Sequence, residues 1–203
     1  MEQIIKSNHQ FFERYLDNDL NSLTKYLDNK YEDMKKINWI NKEYPYDPGS
    51  HWLSFNIFMF YHEGIHNIYK EVRDMTKEAC SYYNIDFDSK KYYITGWFNY
   101  YAQKMNVGCD PDKLNYHDHS NDPSEFHGYY CLNAEPSTTH YKINGERFDN
   151  INKNNRAILS QNGFAHAAGE WNQDSNRITI AYNCVPFDRL NPDIAKCGQY
   201  IPL

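Results

Sequence analysis

The chain has 203 residues, a formal net charge of -6 and a sequence pI near 5.8; that length supplies one sizeable core, and an acidic chain without a stripe of Lys or Arg excludes nucleic acid as the default partner. Its five cysteines (Cys80, Cys109, Cys131, Cys184, Cys197) are odd in number, scattered and lack a C-x-x-C pair, which excludes a disulfide framework and a thiolate zinc site and favours a reducing cytosol. No run of about 18 uncharged apolar residues occurs and the N-terminus has no long apolar core, so neither a membrane span nor a signal peptide is expected.

Residues 1–45 carry apolar pairs (Ile4, Ile5, Phe11, Phe12, Tyr15, Leu16, Leu23, Leu27) at spacings that suit short amphipathic helices. Tyr44 to Ser50 holds two prolines and Gly49 and predicts a loop. From His51 to about Tyr83 the pattern is helical: Phe58, Tyr61, Ile65, Ile68, Val72, Met75, Ala79 and Tyr82 recur at steps of three and four, which puts them on one stripe that must pack against another layer. His62 and His66, one turn apart on this helix, read as surface histidines rather than a zinc pair, because a metalloprotease helix needs a third ligand in context.

After about residue 90 the period changes to alternation. Tyr92–Tyr101 is rich in aromatic and β-branched residues, which suits a pleated surface. Further short strands are predicted at 113–119, 126–133, 138–143, 156–160 and 176–184. The turn formers between them are Asp110-Pro111-Asp112, Asn121-Asp122-Pro123, Glu135-Pro136-Ser137, Asn144-Gly145 and Asn162-Gly163. Helices first and many short strands second predict an α+β chain with a mainly β core, an antiparallel sandwich or barrel, its long helix laid on the outer face of one sheet.

Within that frame the chemistry concentrates on a few positions. On an extended segment His117 and His119 share a face and Asp118 takes the other. If His166 arrives from a neighbouring strand, three neutral nitrogen donors occupy one side of a divalent ion and leave the other side open. On 177–183, Arg177, Thr179, Ala181 and Asn183 share one face and Ile178, Ile180 and Tyr182 the other. An arginine heading a small or polar face is a bidentate partner for a carboxylate.

These residues resemble the Fe(II)- and 2-oxoglutarate-dependent oxygenases, and among them a prolyl-hydroxylase-like group common in phages and marine bacteria. The matching stretches are Gly96-Trp97-Phe98-Asn99, His117-Asp118-His119, Phe126-His127-Gly128-Tyr129-Tyr130-Cys131-Leu132-Asn133, His166, and Arg177-Ile178-Thr179-Ile180-Ala181-Tyr182-Asn183, spanning about 96–183. The resemblance implies a double-stranded β-helix, or jelly roll, in a single domain over 1–203, with a mainly helical support region at 1–88 and the catalytic core at 89–203. It implies Fe(II) held by His117 and His166, and 2-oxoglutarate clamped through its distal carboxylate by Arg177. The family usually has an acid two residues after the first histidine, where this chain has His119; the middle ligand is then His119 or a rearranged Asp118, and strand alternation favours His119. Tyr129 is a candidate hydroxyl contact to the cosubstrate, Thr179 and Asn183 could touch cosubstrate or substrate from the Arg177 face, and Trp97 and Asn99 could line the pocket. The implied reaction is dioxygenase chemistry: 2-oxoglutarate is decarboxylated to succinate while a C–H bond of a small-molecule or peptide substrate is oxidised by O₂. The implied location is the cytoplasm, the host cytosol if phage-encoded, with no membrane partner.

Two other readings use the same residues. His117, His119, Glu125 and His166 resemble the metal motifs of cupins, although the step to Glu125 is long, no proline precedes Gly163, and Arg177 has no task there. A non-enzymatic jelly roll, viral or cellular, would use the 19 tyrosines as a ligand or assembly surface. His127 and His140 read as ordinary structural histidines.

Overall fold

The structure, a computed structural model, describes residues 10–36, 55–101, 114, 116–119, 123–190 and 200–203. The expected loop at 44–50, the expected helix start at His51, the turns at 110–112 and 121–122, and Asn115 lie outside these residues.

Helix α1 (Leu20–Lys36) starts at Asp19, whose carboxylate accepts the Ser22 amide at 3.0 Å. Such a cap satisfies one of the amide donors that a helix start leaves unpaired. Leu23, Leu27, Tyr31 and Met34 form its buried stripe. Helix α2 (Glu63–Tyr82) buries Ile65, Ile68, Val72, Met75 and Ala79 as their spacing predicts. It begins at Glu63 rather than near His51. His62 is extended (φ -153°, ψ 135°) and its Nδ1 accepts the Gly64 amide at 3.0 Å, which fixes the start. Phe58 therefore sits in a 3-10 turn (Ile57–Met59) ahead of the helix, and Tyr61 is 98 % exposed instead of joining the stripe. A short helix α3 (Phe87–Lys90) leads into the sheet.

The first strand corrects the helical expectation for the N-terminus. Strand β1 (Phe12–Tyr15) pairs antiparallel with β6 (Arg156–Gln161), Phe12 opposite Leu159. Four residues cannot hold an isolated helix, and the sheet edge offers them a ladder of main-chain hydrogen bonds. The remaining strands of this six-stranded sheet are β2 (Tyr92–Tyr101), β3 (Phe126–Asn133), β8 (Arg177–Pro186) and β9 (Ile201–Pro202), in the order β1-β6-β3-β8-β2-β9. β8 lies between β3 and β2, and all ten of its residues are buried.

A three-stranded sheet runs β5-β4-β7, from β4 (Thr138–Ile143), β5 (Glu146–Ile151) and β7 (Ala165–Ala168). The sequence pattern marked no strand at 146–151. Asn144 and Gly145 both have positive φ (53° and 82°), the geometry of a tight hairpin turn, and the turn folds the polar 146–151 segment back onto β4 in register, Tyr141 opposite Phe148.

Alternation divides the large sheet into two environments. Tyr92, Ile94 and Phe98, Phe126 and Tyr130, Ala157 and Leu159, and Ile178, Ile180, Tyr182 and Cys184 form one core with the stripes of α1 and α2. The other face turns toward the small sheet. There Tyr129, Cys131 and Ile158 pack with Tyr141, beside a group of buried polar residues that includes His127, Arg177, Thr179 and Asn183. This is the double-stranded β-helix with helical support that the resemblance implies. Cys80, Cys131 and Cys184 are buried free thiols, and no helix among the described residues is long and apolar enough to cross a membrane.

Candidate metal centre

The segment 116–119 extends the small sheet by one bridge. His117 donates its amide to the His166 carbonyl at 3.0 Å and accepts the His166 amide at 2.8 Å. Paired residues in an antiparallel ladder project to the same face, so both imidazoles lie on one side of the bridge, joined by His119 two residues on; His117 is exposed and the other two are partly buried. One ring nitrogen from each of His117, His119 and His166 lies within 4.8 Å of the others. The ring centroids are 4.5 Å apart for His117 and His166, 5.3 Å for His119 and His166, and 5.5 Å for His117 and His119.

The donor set suits a divalent transition metal. His166 Nδ1 lies 2.9 Å from the Phe164 carbonyl oxygen. A carbonyl only accepts, so Nδ1 carries the proton and Nε2 keeps its lone pair, the outer hydrogen bond typical of a metal-binding histidine. Burial, followed by the neighbouring His117, pushes the His166 imidazolium down to about 4, which keeps the ring neutral. Asp118 is exposed and stands outside the converging group. Glu125, the fourth ligand of the cupin reading, is engaged elsewhere: its carboxylate accepts from the Tyr92 hydroxyl and from Arg189.

A fourth imidazole joins from the large sheet. His127, set aside as structural on sequence grounds, stacks on His119 at 4.0 Å between centroids and lies 5.1 Å from His166. Its Nδ1 is 2.7 Å from Asn183 Oδ1, on the register partner in β8. Burial and the nearby His119 and His166 hold its protonation far below the usual histidine range. The available signal was parity: His127 alternates with Tyr129 and Cys131 on the inner face of β3. Trp97 flanks the group at 6.0 Å from His119 and 6.3 Å from His127. His140, by contrast, pairs through Nδ1 with Asp149 at 2.7 Å, in line with a structural role.

The remaining expected residues lie on the same inner face of the large sheet, Arg177 toward the other end of β8. Arg177 is 4 % exposed; its Nε donates to Ser137 Oγ at 2.9 Å and its guanidinium carbon lies 5.5 Å from the Tyr101 ring centroid. Among the described residues no carboxylate pairs with it. Ser137 Oγ also accepts from Asn152 Nδ2 at 3.0 Å, and Asn152 Oδ1 accepts from the Tyr129 hydroxyl at 3.1 Å. The Tyr129 hydroxyl in turn accepts from Asn150 Nδ2 at 2.7 Å. A chain of hydrogen bonds therefore joins Tyr129 to Arg177, and its middle members, Ser137 and Asn152, had no signature in the sequence. Thr179 Oγ1 accepts from Asn99 Nδ2 at 3.4 Å, and Asn183, on the same face as Arg177, meets His127 at its end of the strand.

No protein-family model matches the sequence, and no curated protein does. Solved structures do match the fold. A prolyl-4-hydroxylase from Pseudomonas putida superimposes with a TM-score of 0.54 over 87 % of each chain at 8 % identity. A full-length Neurospora crassa protein in complex with alpha-KG gives 0.48 over 87 % of this chain and 74 % of its own, at 13 % identity. An oxidoreductase of the 2OG-Fe(II) oxygenase family from Burkholderia pseudomallei gives 0.43 at 13 % identity, and there this chain spans about half (51 %) of the other's length. The chain therefore shares its fold with that prolyl-4-hydroxylase.

Proposed function

We propose that the protein is an Fe(II)- and 2-oxoglutarate-dependent oxygenase that hydroxylates a C–H bond of a small molecule or a peptide. The observation that carries this reading is that the inner side of the large sheet faces both halves of the required chemistry. Three imidazole donors converge at one end, and a buried arginine without a carboxylate partner among the described residues stands toward the other. A buried cation without a counter-charge is costly, and a bound diacid would supply that counter-charge.

In this reading His117, His119 and His166 would hold the ion, which, loaded with 2-oxoglutarate, supplies O₂ activation coupled to oxidative decarboxylation. The chain's own residues do the rest. Phe164 fixes the His166 tautomer through the 2.9 Å contact. Ser137 fixes one edge of the Arg177 guanidinium and leaves its terminal nitrogens for a carboxylate. From Ala181, opposite Trp97 beside the histidines, to Arg177 is four residues, roughly 13 Å of strand. The reach of the arginine side chain narrows that gap to the size of a short dicarboxylate. Ala181 and Thr179 line it with small side chains.

Three histidines in place of two and a carboxylate raise the charge of the site by one, which weakens retention of a divalent ion relative to an acid-containing site. The test is anaerobic addition of Fe(II) and then 2-oxoglutarate to the metal-free protein. A weak visible charge-transfer band that appears only with both is the expected result. A flat spectrum at saturating iron would sink the proposal.

A further inference from the structure

His127 has no part in the function proposed above, yet its ring packs closer to His119 than any of the three converging rings pack to one another. The two planes are 20° apart and the centroids 4.0 Å apart, a stacked pair. His119, His127 and His166 are all within 22° of parallel, whereas the His117 plane is turned by 57° from His166 and 70° from His119.

The supports of the two stacked rings differ. His127 belongs to β3 in the middle of the large sheet, is buried, and is tied to Asn183 on the adjacent central strand. An amide Oδ1 only accepts, so His127 Nδ1 carries the hydrogen and the ring cannot flip without losing that bond. His119 lies two residues beyond the bridge at His117, its carbonyl accepting from Asn162 Nδ2 at 2.6 Å. That contact fixes the main chain, and the ring itself stacks on His127. The lone pair of an imidazole nitrogen lies in the ring plane, so a tilt of the plane misdirects it.

We propose that His127 is a positioning residue for His119: a rigid aromatic platform on the large sheet, locked by Asn183, that sets the plane of the middle imidazole of the metal face. The proposal rests on the metal-binding reading and adds a residue to it. It also gives Asn183, expected to touch cosubstrate or substrate, a second task in holding the platform in place.

The test uses the full-length metal-free chain, Co(II) as the probe, and two substitutions. His127→Leu fills much of the volume but offers no plane. His127→Phe keeps a plane but no ring nitrogen. Both remove the same hydrogen bond to Asn183, so thermal melting of the metal-free variants should shift similarly, and the difference between them isolates the platform. The expected result is Co(II) affinity about tenfold weaker, or more, in His127→Leu, as for loss of an outer partner of a metal ligand, with altered ligand-field absorption bands. His127→Phe should restore both wild-type affinity, to within about threefold, and the wild-type bands. Wild-type affinity and bands in His127→Leu would overturn the proposal. Equal loss in both variants would also overturn it, because a ring nitrogen rather than a plane would then be required. If the wild-type chain itself fails to bind Co(II), the metal reading falls first, and His127 with it.

Discussion

His117 and His166 exchange both of their main-chain hydrogen bonds, at 3.0 and 2.8 Å, and their rings stand 4.5 Å apart on the same side of that pair. Two of the three converging donors are thus set by sheet geometry, and the third, His119, follows by alternation. Replacing His117, His119 or His166 by alanine should weaken Fe(II) or Co(II) binding by at least about 100-fold, beyond the 10–100-fold typical of losing an outer partner. Asp118→Ala should leave affinity within a few-fold of wild type. Equilibrium dialysis with metal analysis distinguishes these outcomes, and loss of metal in Asp118→Ala would reassign the middle ligand.

The Arg177 guanidinium and Ser137 hydroxyl form a separable unit. Arg177→Ala should raise the anaerobic dissociation constant for 2-oxoglutarate by about 10–100-fold, the worth of a charge-assisted hydrogen bond of roughly 1.5–3 kcal/mol, while sparing metal affinity. Ser137→Ala removes the acceptor of both Arg177 Nε and Asn152 Nδ2, and should produce a smaller effect in the same direction. Isothermal titration calorimetry reads both constants. Unchanged 2-oxoglutarate binding in Arg177→Ala would remove the cosubstrate role from this residue.

The metal-free protein should lose stability as the pH falls from 7 to 5. Burial, and then His117, push His166 from 6.5 to about 4, and His127 shifts in the same direction. Below pH 6.5 the unfolded chain therefore takes up protons that the folded chain refuses. The stabilisation is complete above the unfolded value and declines as the pH drops toward the folded one. The slope is at most about 1.4 kcal/mol per pH unit per group, so His166 alone accounts for roughly 2 kcal/mol by pH 5. Urea unfolding with a chelator present at the two pH values measures this. His166→Asn should flatten the dependence, and equal stability of wild type at both would contradict it.

Gly128 sits one residue from His127, with no room for a side chain. A Cβ there would lie 2.1 Å from the Ile158 carbonyl oxygen and 2.5 Å from the Tyr182 ring. The carbonyl is main chain in the adjacent strand and accepts the Tyr182 hydroxyl at 2.8 Å, so it cannot swing aside. Gly128→Ala should destabilise the fold by about 1–3 kcal/mol or more, read as a lowered urea midpoint. A wild-type midpoint would show that β3 and β6 can separate freely.

Local patterns in the chain were decisive wherever one physical constraint acted alone. The Ile65 to Ala79 stripe, the alternation of 177–183, the Asn144-Gly145 turn and the shared face of His117 and His119 each follow from a single periodicity or a single torsional preference. The sequence alone therefore supplied the long helix ahead of the main run of strands, the three histidines that converge and the inward-facing arginine.

Only the tertiary structure decided the features that depend on segments distant in sequence. Phe12–Tyr15 became a strand because β6 offered an edge, and α2 was shortened because the His62 side chain capped it. Ser137 and Asn152 meet Arg177 and Tyr129 in one chain of hydrogen bonds. His127 stands beside the converging rings because β3, placed beside β8, faces the His119 ring over 4.0 Å. Periodicity fixes the face on which a side chain lies, but which faces meet is settled by the packing of whole sheets, and the chemistry of this centre arises where two such faces meet.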